Sequence, residues 1–231
     1  MLRISLVSVL VTLTLASVTP VAMAMPGFGD AMKGVVPGAE KPADAEADGA
    51  TQLSAADAQD TIVTEFNEIL RDVRFAQGAM LIALGKKDEG NAAQADAKAM
   101  SGACDNKCTK EAIARSAELD GIIESAMTDA DAMKDVSKEE AGKAMLPWLK
   151  AGVRTALYIP KLGAWGKSAT TEIKDAGLMG AAKMKKKFSQ GLFIATNAPG
   201  AAQKWFTTIK LARDVFKKND ISYEGANDAD F

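Results

Sequence analysis

The 231-residue chain carries 28 basic and 30 acidic side chains and no histidine. Without an imidazole, Ser-His-Asp and Cys-His nucleophile systems, H-E-x-x-H zinc sites and His-ligated haem are excluded, which leaves carboxylate, lysine or tyrosine chemistry, or none. Alanine supplies 43 residues, so the 48% hydrophobic fraction overstates the residues able to build a core.

Arg3 is the only charge before Asp30, Ile4 to Leu15 is an apolar run, and Pro20 interrupts it ahead of Ala22-Met23-Ala24. A short apolar run followed by a small-x-small site is the pattern of a cleaved signal peptide rather than a retained anchor, so residues 1–24 are expected to be removed on export. No cysteine stands at that junction, which argues against a lipoprotein. The expected location is the periplasm of a bacterial envelope, peripheral to a membrane or free.

Residues 25–53 are rich in Gly, Pro, Ala and acid without a period, and are expected to form a flexible acidic linker. Asp44, Glu46, Asp48 and Gly49 imitate the opening of a calcium loop, but Ala55 replaces its closing Glu, so no metal site is expected.

From Ser54, an expected N-cap, the pattern becomes helical. Ile62, Phe66, Ile69, Val73, Ala76, Met80 and Ala83 recur in steps of four and three, and Gly85 with Lys86-Lys87 reads as the stop. A short helix is expected over 91–100. Ala112, Ser116, Leu119, Ile123, Ala126, Ala130 and Met133 repeat the stripe. Ser137 and Glu140 form a capping box for the next helix, which Pro147 should kink or split and Pro160, Gly163 and Gly166 should end. Shorter helices follow from Ser168 and Met184. A last helix begins at Asn197-Ala198-Pro199, with Trp205, Ile209, Ala212 and Phe216 on one face. The expected fold is an all-α antiparallel bundle of about five to seven helices over 54–219, with a flexible tail at 220–231.

Cys104 and Cys108 are the only cysteines. In an oxidising compartment a pair this close forms a disulfide that pins a turn. The three-residue gap does not match a thioredoxin-like or haem-attachment motif, and no further soft ligands exist for a metal. Gly163, Gly166, Lys167 and Ser168 end like a phosphate-binding loop, but two residues separate the glycines instead of four, so nucleotide binding is not expected and a turn with Ser168 as N-cap is. Glu65, Glu68 and Asp72 are acids on one helix, and no pair among them stands out as catalytic.

Charge is segregated. Residues 25–135 hold 21 acidic and 11 basic side chains, and residues 136–231 hold 9 acidic and 16 basic. All three tryptophans lie in the basic half, as does the run Lys183, Lys185, Lys186, Lys187 and Phe188. Three readings follow: internal charge complementarity, contact with an anionic membrane surface, or an acidic protein or polysaccharide partner. The membrane or partner surface would comprise Lys183, Lys185, Lys186, Lys187, Phe188, Trp165 and Trp205, within a basic half whose segment 177–201 mixes glycine, apolar residues and lysine. Nucleic acid is not expected of an acidic exported chain. The functional expectation is a non-catalytic cell-envelope binding or structural protein without a cofactor. Alternatives are a carrier of an apolar ligand inside the bundle and a carboxylate-dependent hydrolase of envelope glycans.

Overall fold

The computed structural model describes residues 54–100 and 104–224, so the expected signal peptide and acidic linker lie outside the described residues. Six α-helices and one 3-10 turn account for nearly all of this length: α1 (Ala55–Ala83), α2 (Lys87–Ala99), α3 (Asn106–Thr128), the turn Ala132–Asp135, α4 (Lys138–Asp175), α5 (Gly177–Lys187) and α6 (Ser189–Lys218). The described chain is an all-α bundle.

Capping residues set the helix starts. Ser54 Oγ accepts from the Asp57 amide at 3.2 Å, Asp105 accepts from the Cys108 amide at 2.8 Å, and Ser137 Oγ accepts from the Glu140 amide at 3.3 Å. Gly85, at φ +80°, supplies the left-handed residue that ends α1 and turns the chain into α2. The α1–α2 hairpin closes tightly because a Cβ on Gly78 would stand 2.7 Å from the Gly90 carbonyl oxygen, and one on Gly90 2.6 Å from that of Gly78. α2 therefore begins earlier than expected and places Gly90 inside the helix, where close approach matters more than glycine's low helix propensity.

Contacts give each helix its direction. Tyr158 donates to the Ile62 carbonyl at 3.0 Å and Trp165 to that of Ala55 at 2.9 Å, so numbers fall along α4 as they rise along α1 and the two are antiparallel. Arg74 reaches the Ala112 carbonyl at 3.0 Å and Gln77 that of Ser116 at 3.0 Å, so α3 runs parallel to α1, with α2 as the return stroke. Two core layers stack along the axis: Phe66, Tyr158, Trp165, Phe188 and Trp205 fill one, and Leu81, Leu119, Ile123, Trp148 and Phe216 the other.

Four local expectations are corrected. α4 is one helix of 38 residues that passes through Pro147, Pro160, Gly163 and Gly166. Each proline forfeits one backbone hydrogen bond, but α4 packs along both α1 and α6, and burial of its inner stripe (Met145, Trp148, Ala151, Tyr158, Leu162, Trp165) outweighs that loss. Ser168 therefore sits inside a helix and caps nothing. α6 likewise starts at Ser189 and runs through Pro199. α3 stops at Thr128, where Asp129 accepts from the Asp131 and Ala132 amides at 2.9 and 3.1 Å and opens the 3-10 turn, so Ala130 and Met133 lie beyond it. Finally, residues 220–224 are not a loose tail. Ile221 is buried, Tyr223 meets Phe216 edge-on, and the Ser222 carbonyl lies against Gly142, where a Cβ would collide with it.

Candidate functional site

The aromatic members of the expected surface are interior. Trp165, Trp205 and Phe188 are all buried. Trp165 meets Phe188 edge-on at 5.9 Å and covers Gly191, while Trp205 donates to Ser116 Oγ at 2.9 Å. Their helical spacing reflects core packing, and none is available to a lipid or protein surface.

The lysines are outside. Lys183, Lys185, Lys186 and Lys187 are exposed on α5, and among the described residues none has a carboxylate within ion-pair distance. α5 contributes no buried residue. Gly177, at φ +66°, turns the chain out of α4, and the next two side chains, Leu178 and Met179, are 98% and 95% exposed. The backbone is anchored at the far end, where Gln59 donates to the Lys187 carbonyl at 2.8 Å and Phe188 enters the core. α5 is thus a short strap between two long helices, with apolar side chains at its start and cations toward its end. A second exposed apolar stretch lies on α4, where Val153, Leu157, Pro160 and Ala164 follow steps of four, three and four on one stripe. No helix among the described residues is long and apolar enough to cross a membrane.

Internal complementarity uses other cations. Arg154 pairs with Glu68 and, at 2.7 Å, with Asp72; Lys161 pairs with Glu65 at 3.1 Å, and Lys204 with Glu124 at 2.9 Å. Each joins the basic half to the acidic half. Burial by itself would lower the Arg154 pKa, but its hydrogen bonds to Glu68 and Asp72 raise it overall. The acids Glu65, Glu68 and Asp72 are therefore all engaged by cations.

Cys104 and Cys108 are at disulfide distance, with Cα atoms 5.3 Å apart. The link spans the N-cap and first turn of α3, and Gln190 of α6 donates to the Cys104 carbonyl. A bridge closing so short a loop is worth about 2 kcal/mol on the chain-entropy account. Urea unfolding of a Cys104→Ser/Cys108→Ser variant is expected to show a loss no larger than that, with helix content by circular dichroism unchanged.

A polar relay crosses the core unannounced by any motif. Trp205 donates to Ser116, Ser116 Oγ to Gln77 Oε1 at 3.0 Å, and Gln77 Nε2 to Asp120 Oδ1 at 2.7 Å. Asp120 is fully buried, and its Oδ2 has no hydrogen-bond partner among the described residues. Burial pushes its pKa up to about 7, against the opposing hydrogen bond from Gln77. The sign of this group was in the sequence, since Gln77, Ser116 and Asp120 are polar residues at positions facing the core.

An open cleft of about 450 Å³ lies between α1, α2 and α4, lined by Arg71, Asp72, Phe75, Lys98, Pro147, Lys150 and Arg154 over Ala97 and Ala151. It holds one carboxylate, so the two-acid arrangement of a glycoside hydrolase is not present there. No protein-family model matches the chain, and no curated protein or solved structure matches it either.

Proposed function

We propose that the protein is an exported, non-catalytic cell-envelope protein whose α5 strap docks on an anionic membrane surface. The observation that carries the reading is the near-complete exposure of Leu178 and Met179 on a helix with no fully buried residue, whose four lysines have no carboxylate within ion-pair distance among the described residues. An apolar pair with adjacent cations suits the boundary between headgroups and acyl chains, where the side chains gain burial and the ammonium groups meet lipid phosphate. The export pattern in residues 1–24 and the cysteine pair at disulfide distance favour a compartment outside the cytoplasm.

Co-sedimentation with vesicles tests this. Binding should require anionic lipid and weaken from low to physiological salt. At about 1 kcal/mol per lysine near the surface, a Lys185→Gln/Lys186→Gln/Lys187→Gln variant is expected to bind on the order of 100-fold more weakly. Equal binding to neutral vesicles, or no effect of the triple variant, would sink the proposal.

A further inference from the structure

The cleft between α1, α2 and α4 has a charge pattern that its own residues leave uncompensated. Four cations line it, Arg71, Lys98, Lys150 and Arg154; the two arginines are offset by Asp72 in the cleft and by Glu68 beside it, so the excess charge rests on the two lysines. Asp72 is already shared, accepting from Arg71 Nη2 at 3.2 Å and from Arg154 Nη1 at 2.7 Å. Lys98 and Lys150 have no carboxylate within ion-pair distance among the described residues. The remaining walls are apolar. Phe75 stands 40% exposed, with the Pro147 ring and the buried Ala97 and Ala151 beside it. A half-exposed phenyl ring in a concave site rimmed by ammonium groups offers an apolar wall beside cations, and the cleft volume falls in the range of small-molecule sites.

We propose that this cleft binds a small amphiphilic anion, a carboxylate or phosphate monoester with an apolar body. The anionic head bridges Lys98 and Lys150, and the body lies over Phe75 and Pro147. Arg71 and Arg154, held by Asp72 and Glu68, keep the wall rigid, and the two lysines make it positive. The site is separate from the membrane strap. Lys150 and the end of α4 at Asp175, just before the strap, are about 38 Å apart along α4 at the rise of an α-helix, so both can be occupied at once. It is also an open surface cleft rather than a chamber inside the bundle.

Titration calorimetry of the purified protein with phenyl phosphate, 4-phenylbutyrate and neutral 4-phenylbutanol tests the site. The two anions are expected to bind about 10-fold or more tightly than the alcohol, and Lys98→Gln/Lys150→Gln to weaken them by at least about 10-fold. Phe75→Ala should weaken 4-phenylbutyrate several-fold while leaving the thermal midpoint near that of the wild type, because the ring is already partly solvated. Dihexanoyl phosphatidate, used below its micelle concentration, separates two sources of the same chemistry. Tighter binding than phenyl phosphate assigns the anion to a lipid, and weaker binding assigns it to a free small molecule; both uphold the site. No anion binding at about 10 mM, or equal binding by the folded double-lysine variant, overturns it.

Discussion

Trp165→Ala is expected to destabilise the protein by about 3–5 kcal/mol, in line with removal of large buried aromatic side chains. The indole is nearly fully buried, donates to the Ala55 carbonyl at 2.9 Å, packs edge-on to Phe188, and lies against Gly191, where any larger residue would collide with it. Its loss opens a cavity where α1, α4 and α6 meet, and those long helices cannot collapse into it without shifting their other contacts. Urea unfolding reads the loss. A membrane anchor would behave in the opposite way, with unchanged unfolding and weakened vesicle binding. Leu178→Ser/Met179→Ser should show that second pattern, since both side chains are already in water.

Asp120→Asn is expected to stabilise the protein at pH 8 and to lose that advantage near pH 4.5. The folded-state pKa of Asp120 is raised to about 7 from an ordinary 3.8. Below 3.8 the group is neutral in both states and carries no charge-burial penalty. Between the two values the unfolded chain ionises it while the fold resists, so stability falls as pH rises, and the full penalty is reached above about 7. A shift of this size corresponds to about 4 kcal/mol. Asparagine keeps the acceptor for Gln77 but puts an amide N–H₂ where Oδ2 has no partner, which costs about 1–3 kcal/mol. The net gain at pH 8 is therefore about 1–3 kcal/mol. Comparing the two proteins at each pH removes the shared titration of surface acids. A difference in stability that does not change between pH 4.5 and 8 contradicts the assignment.

The long helices and their inner faces are legible in the sequence because stripes such as Ile62, Phe66, Ile69 and Val73 depend only on helical period, and every one of those residues is buried. Ser54 and Ser137 are legible as caps for an equally local reason. Proline is where local reasoning misleads. Pro147, Pro160 and Pro199 read as boundaries, yet each sits within a helix whose neighbours hold it on both sides. Aromatic residues mislead in a related way. Trp165 and Trp205 lie near lysines in sequence, but helix rotation turns the indoles inward and leaves the lysines outside. The cleft was beyond sequence reasoning altogether, since Arg71, Lys98 and Lys150 come from three helices and meet only when the bundle forms.

The charge segregation between the halves divides into two parts. Arg154, Lys161 and Lys204 neutralise acids across helix interfaces, so part of the pattern is internal complementarity. Among the described residues Lys183, Lys185, Lys186 and Lys187 take no part in it, and that supports an outward role for α5.

Hydrogen exchange of the whole protein, with and without anionic vesicles, tests that outward role most directly. α5 has no fully buried residue and touches the core mainly through partly buried Met184, so its amides should exchange faster in the free protein than those of α4 and α6. Vesicles containing anionic lipid should slow exchange across residues 177–187 and leave α2 unchanged, and neutral vesicles should slow neither. Protection that appears elsewhere while residues 177–187 continue to exchange at the free rate would contradict the account.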